Sequence, residues 1–260
     1  MKTRIVLTLS TVLAMMTGLC QTFALVNFDL GVKSDEPKRP ARPELHVHPT
    51  ADFEVTGKGS AEAWKKAEWQ PLHRRPDAAH PYETRIKVLY SKTGLYVLLE
   101  AADKKITATR KDFENLWEED VFEVFLWPDE RDSLYFEYEI SPLNFELPIL
   151  VPNLEGKYLG WRPWHYEGKR KTRKATSAVG GTLKSGASVQ GWNAEVFIPY
   201  DLLAPLRNVP PKPGTRWRAN FYRMDYDDGK HTSWDWARVG PSFHEFKIFG
   251  TLVFEGSPNE

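Results

Sequence analysis

The sequence predicts an all-β protein built as a two-sheet antiparallel β-sandwich with one or two short helices. Roughly eight short segments alternate apolar with polar residues, and turn residues separate them. This pattern is typical of sandwiches and barrels. About 235 residues follow the N-terminal leader described below, which is enough for one all-β domain to bury a core.

The clearest alternation lies in three segments, residues 84–90, 120–127 and 134–141, and residues 95–102 form a strongly apolar segment that predicts a central strand. In the segment 120–127, Val121, Glu123 and Phe125 are predicted to share one face of the strand, because side chains alternate with a period of two. Further strands are predicted at residues 52–56, 174–183, 191–198, 216–225 and 248–254.

Two stretches have helical character. Ser60 is a predicted N-cap, and Trp64 and Ala67 have the spacing that packs one face of a short helix onto the domain. Residues 200–206, which follow Pro199, predict one further helical turn or two.

Residues 1–24 have the organisation of a secretory signal peptide. Lys2 and Arg4 precede an apolar run at residues 5–19, and cleavage is predicted between Ala24 and Leu25. The run is shorter than the roughly 20 residues that cross a bilayer. We therefore expect a secreted or periplasmic protein with no membrane span.

Cys20 is the only cysteine. A lipid anchor on Cys20 would need small residues just before it, and Leu19 occupies that place, which disfavours an anchor without fully excluding one. Cleavage after Ala24 would remove Cys20, so disulfides, thiolate nucleophiles and Cys-based zinc sites are not expected.

Residues 25–50 form a lead that is rich in proline and charge, with Pro37, Pro40 and Pro43 among charged residues. Such a composition resists packing into a core. It predicts a linker, or a strap across a sheet, ahead of a sandwich domain at residues 51–256.

The amino-acid composition indicates which classes of binding partner to expect. Removing Lys2 and Arg4 from 35 basic residues leaves 33 against 35 acidic ones, a net charge of about −2, which argues against nucleic acid. Ten Trp, ten Tyr and fourteen Phe are many for this length. Core packing explains most of them, and flat aromatic surface also suits stacking on sugar rings.

Four phrases, in order, resemble the family 9-like carbohydrate-binding modules: FEVTGKGSAEAW, GLYVLLEAADKKI, NLWEEDVFEVFLWPD and the C-terminal region from WNAEVFIPYDLL to HEFKIFGTLVF. The resemblance covers about residues 51–255. It implies a jelly-roll-like, DOMON-like sandwich that needs no cofactor. It also implies a secreted protein that clamps a sugar of a xylan- or glucan-class polysaccharide or oligosaccharide, supporting carbohydrate catabolism beside glycoside hydrolases.

The same resemblance implies a slot in which two aromatic rings hold one sugar. Trp117 matches the first ring and Phe243 the second, and Glu123 matches the carboxylate that accepts hydroxyl hydrogen bonds. The chain departs from the family pattern at two further positions. Glu139 stands where the slot has a basic residue, and Gly240 where it has an amide.

Three more residues of the C-terminal region are candidates for the sugar site, because they could rebuild such a slot. They are Trp234, Trp236 and His244. No catalytic residue and no metal ligand is assigned.

Calcium is considered because extracellular sandwiches use it to hold loops, through hard oxygen ligands. Asp225, Asp227 and Asp228 precede Gly229 without the spacing of an EF-hand, and a solvated turn is the favoured interpretation. A structural calcium ion elsewhere in the fold stays open by family analogy.

Three alternative functions remain. A glycoside hydrolase would need paired carboxylates, and Glu123 and Glu139 could face each other across two strands. A haem-binding relative of the sandwich would use Met224 with His231 or His244. A structural or adhesive surface protein would bind no small ligand. Serine-hydrolase, phosphate-loop and dinucleotide motifs are absent from the sequence.

Overall fold

Two β-sheets packed against each other form the fold, which confirms the predicted class. The computed structural model describes residues 41–76, 79–155 and 157–256. The predicted signal peptide with Cys20, and most of the lead, lie outside the described residues. Within the described part of the chain, no helix is long and apolar enough to cross a membrane.

Fifteen strands are present among the described residues. In chain order they are β1 Glu44–Pro49, β2 Gln70–Pro71, β3 His73–Arg74, β4 Thr84–Tyr90, β5 Gly94–Ala102, β6 Val121–Trp127, β7 Leu134–Ile140, β8 Glu146–Leu154, β9 Lys157–Tyr158, β10 Arg162–Pro163, β11 Arg173–Val179, β12 Gly191–Pro199, β13 Arg216–Asp225, β14 Thr232–Asp235 and β15 Gly250–Phe254.

The first sheet has the order β10-β8-β7-β6-β13-β15-β1, and β14 with β3 branches from β13 while β9 pairs with β8. The second sheet runs β1-β4-β5-β12-β11, with β2 beside β4. Strand β1 belongs to both sheets. Its first four residues pair with β15 and its last two pair with β4, in both cases parallel, whereas the other pairings are antiparallel.

Strand β1 lies within the stretch predicted as a lead. Leu45 and Val47 alternate with exposed residues and are buried in the core between the sheets. This alternation is the physical reason that residues 44–49 join the sandwich, in the manner of the predicted strap. Ordered structure therefore begins before residue 51.

The main core fills the space between the sheets. Strand β6 contributes Phe122 and Val124, β13 contributes Phe221, and the second sheet contributes Val97 and Val196, all of them buried. Because side chains alternate, the odd-numbered residues of β6 and β7 point to the opposite, outer face of the first sheet.

That outer face is also covered. A second apolar cluster includes Phe125, Tyr135, Ile149, Tyr222 and Phe249. The segments that cover it carry Phe113, Trp117, Trp161 and Phe243, which pack on it while staying partly exposed. The first sheet is thus buried on both sides, and the cover leaves a cavity above the middle of the sheet.

The predicted strand at residues 52–56 is not formed. Its backbone donors bind a side chain instead of a neighbouring strand. Oε2 of Glu195 accepts hydrogen bonds from the backbone N–H groups of Thr56 at 2.7 Å and Gly57 at 2.9 Å. Its Oε1 accepts the indole N–H of Trp64 at 2.7 Å. A buried side-chain acceptor can satisfy backbone donors that a ladder would otherwise use.

The two predicted helical stretches are short 3₁₀ segments, Glu62–Lys66 and Tyr200–Leu203. Ala61, rather than Ser60, occupies the N-cap of the first, and no side chain caps it. Four more 3₁₀ segments lie among the described residues, at Leu116–Glu118, Gly168–Arg170, Asp227–Gly229 and Phe246–Ile248.

Strand β8 was missed from the sequence because Pro148 and Pro152 interrupt its pattern. Proline is tolerated where a strand has little pairing on one side. Among the described residues, the partners of β8 other than β7 are the two-residue strands β9 and β10.

Candidate functional site

A cavity of about 340 Å³ opens on the outer face of the first sheet. Its described lining residues come from four strands and from the segments that cover them. They are Trp117, Glu123, Phe125, Glu137, Ile149, Tyr158, Trp161, Met224, His231, Pro241, Phe243 and His244.

The floor of the cavity is made by neighbouring strands. Glu123 and Phe125 come from β6, Glu137 from β7, Ile149 from β8 and Met224 from β13. Each side chain reaches the cavity because it occupies an outward position of its strand. Register then fixes their order across the sheet, with Phe125 opposite Glu137 and Glu137 opposite Ile149.

One wall is a pair of tryptophans. The rings of Trp117 and Trp161 meet edge to face, with centroids 5.2 Å apart and planes 74° apart. Tyr226 supports this wall, because its hydroxyl donates a hydrogen bond to the Trp117 carbonyl at 2.8 Å. Both tryptophans are half-buried, so part of each ring remains open to the cavity.

The facing wall carries Phe243. Its ring stacks on Tyr222 at 4.1 Å with an 8° angle between planes, and the Tyr222 hydroxyl donates to the Phe243 carbonyl at 2.8 Å. The rim is completed by Tyr158, which stacks on His244 at 4.3 Å. These contacts hold the aromatic groups in place before any ligand arrives.

Three buried carboxylic acids, Glu123, Glu137 and Glu139, lie on the floor and behind it. Burial raises the pKa of Glu137 to about 8. Burial and the neighbouring Glu137 raise the pKa of Glu123 well above its ordinary value. Burial, then Glu123 and Glu137, raise the pKa of Glu139 in the same way. Neutral forms are favoured because ionised groups lose their hydration in a buried site.

His244 is half-buried, and its loss of hydration lowers its pKa to about 4. Its Nδ1 lies 2.5 Å from the Tyr135 hydroxyl and 3.9 Å from Oε2 of Glu137. His244 is therefore neutral at physiological pH and acts as a hydrogen-bonding member of the rim.

Comparison with known proteins finds a family match over part of the chain. Residues 55–149 match the model of the carbohydrate family 9 binding domain-like family. This segment is therefore similar to the family 9-like carbohydrate-binding domains. The matched residues include Trp117, Glu123, Glu137 and Glu139, so most of the cavity floor and one ring of the tryptophan wall lie in the matched segment.

An extracellular protein of Arthroderma benhamiae is 29% identical over 190 residues, which are 69% of this chain and 82% of that relative. Among solved structures, a candidate carbohydrate-binding protein from Bacteroides uniformis superposes with a TM-score of 0.69 at 18% identity, covering 83% of this chain and all of that one.

Two structures of a family 9 module from Caldicellulosiruptor kristjanssonii, with cellotriose and with glucose, superpose with TM-scores of 0.60. Identities are 16% and 15%, and the matches cover 84% of this chain and 96% and 98% of those chains. At these identities the likeness establishes the fold.

The fold brings four of the sequence-predicted site residues to the cavity: Trp117, Glu123, Phe243 and His244. Glu139 lies directly opposite Glu123 across β6 and β7 and is fully buried behind the lining. Their role in sugar binding stays a prediction.

Trp234 and Trp236 are not part of the cavity, which corrects the sequence-based expectation. Both are buried in the core between the sheets, on the far side of the first sheet. The indole N–H of Trp234 donates to the Tyr82 carbonyl, and the Arg223 guanidinium lies 4.6 Å from its ring centroid. The two residues do share a face, as predicted, and that face is the inner one.

Sequence reasoning missed Tyr158, Trp161 and Glu137 as lining residues. Glu137 and Glu139 are two residues apart on β7, so the strand period of two already predicted that both acids share one face. Tyr158 and Trp161 follow β8, and without that strand nothing in the sequence located them.

Met224 and His231 also line the cavity, and the Met224 Sδ lies 3.2 Å from His231 Nε2. Two axial ligands of one haem iron stand on opposite sides of the metal, so this direct contact does not fit a Met/His iron site.

A separate acidic cluster lies beyond the end of β13. Carboxylate oxygens of Asp103, Asp120 and Asp225 lie within 4.8 Å of one another, and Asp227 and His80 form a second such group with Asp225. Asp225 and Asp227 are buried, so the expected solvated turn is wrong for both of them. The adjacent sheet and the segment near His80 cover these side chains.

Proposed function

We propose that this chain is a secreted protein whose cavity clamps one sugar unit of a xylan- or glucan-class polysaccharide or oligosaccharide. The observation that supports the proposal is a preformed cavity with Trp117, Trp161 and Phe243 as walls and carboxylic acids on its floor. Concave sites of this type, with aromatic lining and a few polar groups, are typical of small-ligand recognition.

The physical roles follow from the geometry. The tryptophan rings bury the C–H faces of a pyranose, at a few kcal/mol per ring at most. Glu123 and Glu137 supply hydrogen-bond donors or acceptors for hydroxyl groups, which orient the sugar. The expected affinity is on the order of micromolar, about −8 kcal/mol.

The biological setting is also a proposal. The Arthroderma relative is described as extracellular, and residues 1–24 have the pattern of a cleaved signal peptide. A binding domain of this kind would support carbohydrate catabolism by holding substrate beside separate glycoside hydrolases.

Tryptophan-fluorescence titration of the chain from Leu25, with xylo- and gluco-oligosaccharides, tests the proposal. We expect saturable quenching that Trp117→Ala abolishes. Trp69→Ala is the matched control, because Trp69 is half-buried and packs against Arg85, away from the cavity. Absence of a response to every sugar would contradict the proposal.

A hydrolase is the second candidate, favoured by the facing pair Glu123 and Glu139. Retaining glycosidases place two carboxyl groups about 5–5.5 Å apart. Release of reducing ends from xylan or glucan by the wild-type protein, lost in Glu123→Gln, would establish catalysis. Binding of the polysaccharide without release of reducing ends would show that the protein binds the sugar and does not hydrolyse it.

We further propose that the acidic cluster holds a structural Ca²⁺ ion. Neither Asp225 oxygen has a hydrogen-bond partner among the described residues, nor does Oδ1 of Asp227. Arg223 offsets part of the charge, 3.0 Å from Asp103 and 3.5 Å from Asp225. Hard carboxylate oxygens suit Ca²⁺.

Thermal unfolding with Ca²⁺, with Mg²⁺ and with a chelator tests the calcium proposal. A hundredfold excess of Ca²⁺ over its Kd should stabilise the fold by about 3 kcal/mol. Asp225→Asn should remove that response. Identical melting in Ca²⁺ and in chelator would contradict the proposal.

A further inference from the structure

The floor of the cavity concentrates acid without a compensating cation. Glu123, Glu137 and Glu139 are 2%, 5% and 0% exposed. Oε2 of Glu137 has no hydrogen-bond partner among the described residues. Buried polar atoms are nearly always paired, so each exception calls for a ligand or another explanation.

The described lining of the cavity contains no permanently charged cation. Among the described residues that line it, none is Lys or Arg. His244 lies 3.9 Å from Glu137 but is held neutral by burial. Arg75, whose guanidinium is 5.3 Å from the centroid of the Phe243 ring, forms an ion pair with Asp235 at 3.1 Å and donates to the Gly240 carbonyl.

The aromatic walls of the cavity would also attract a cationic ligand. Trp117, Trp161, Tyr158 and Phe243 surround the opening, and aromatic faces attract ammonium groups through their negative π clouds. With a neutral sugar bound, Glu123, Glu137 and Glu139 would stay protonated, because three ionised carboxylates cannot be buried together without a counter-charge. A cationic ligand would let them ionise and pair.

We propose that the preferred ligand is a sugar with a protonated free amine, such as an unacetylated hexosamine unit in an oligosaccharide. The inference rests on the proposed function, that this cavity binds a sugar. A hexosamine keeps the pyranose faces and most hydroxyls of a glucan unit and replaces one hydroxyl with an ammonium group. Glu137, whose unpartnered oxygen lies on the lining, is the direct acceptor, and Glu123 and Glu139 complete the negative environment.

Isothermal titration of the chain from Leu25 tests the inference with three oligosaccharides of equal length: glucosamine, N-acetylglucosamine and glucose oligomers. We expect the glucosamine oligomer to bind at least tenfold more tightly than either neutral one. Glu137→Gln should reduce that ratio to about threefold or less, and Glu139→Gln provides a second measurement of the same ratio. Glu62→Gln, which removes an exposed carboxylate, should leave the ratio unchanged.

The outcomes separate the two proposals. Equal affinities for amine and neutral oligomers, or binding of neutral oligomers alone, would overturn the amine preference while leaving the sugar site standing. The amine preference could also persist in Glu137→Gln and Glu139→Gln, or fall by the same factor in Glu62→Gln. Either result would show nonspecific charge attraction and overturn the assignment of Glu137 as the acceptor. Failure of all three sugars to bind would overturn the proposed function, and the inference with it.

Discussion

Glu123 on β6 and Glu139 on β7 lie directly opposite each other, with both side chains buried on the outer face of the first sheet. Burial and neighbouring carboxyl groups raise the pKa of both side chains, because two ionised carboxylates cannot share a buried site. Titratable groups perturbed in this way beside a cavity are typical of functional sites.

The Trp161 ring provides a prediction about ligand affinity. Trp161→Ala should weaken sugar binding by about tenfold, equivalent to about 1.4 kcal/mol, because it removes stacking surface and leaves Trp117 without its edge-to-face partner. Calorimetric titration measures the change. Trp161→Phe should recover part of the affinity, and an unchanged Kd in the alanine variant would exclude this wall from the site.

The core position of Trp236 predicts a stability effect instead. Trp236→Ala should lower the free energy of unfolding by about 3–5 kcal/mol, the usual cost of emptying a core aromatic site. Denaturant unfolding measures the loss. At a temperature where the variant is still folded, sugar affinity should equal that of the wild type, and a selective loss of affinity would return Trp236 to the site.

The buried acids predict a pH dependence of stability. Burial raises the pKa of Glu137 from 4.5 in the unfolded chain to about 8. Glu123 and His244 face the same cavity, and Glu139 lies behind its lining. In this window the unfolded chain loses a proton that the folded protein keeps, so stability falls as the pH rises from about 4.5 to about 8.

Glu137→Gln should flatten this decline, because the amide does not titrate. Denaturant unfolding at several pH values between 4.5 and 8 measures the slope for both proteins. Glu62→Gln, at an exposed position, serves as the control. A slope that is the same in Glu137→Gln and wild type would show that this carboxyl does not stay protonated on folding.

The Glu195 carboxylate predicts local anchoring of the segment before the first 3₁₀ helix. Glu195→Gln should destabilise the protein by about 1–3 kcal/mol, since it weakens the bonds to the backbone of Thr56 and Gly57 and to the indole of Trp64. Hydrogen exchange should accelerate at Thr56 and Gly57 more than in β5. Uniform acceleration would point to global destabilisation alone.

Much of the fold could be predicted from local pattern. Strands such as β4, β6 and β7 alternate clearly, and their alternation correctly put Glu123 and Phe125 on one face. Strand β8 could not be recognised, because its prolines are tolerated only through the sparse pairing on one side of it. The segment at residues 52–56 failed as a strand because Glu195, far along the chain, binds its backbone.

The sequence by itself determined the all-β class, the alternating faces of the strands and the chemical character of the site, because these depend on side-chain periodicity and residue type. Only the tertiary structure decided which aromatic residues reach the cavity. Trp234 and Trp236 lie on the inner face of their sheet, whereas Tyr158 and Trp161 belong to the segment after β8, whose course depends on packing over that sheet. The tertiary structure also decided that Asp225 and Asp227 are buried, since their burial depends on which distant segments of the chain cover them.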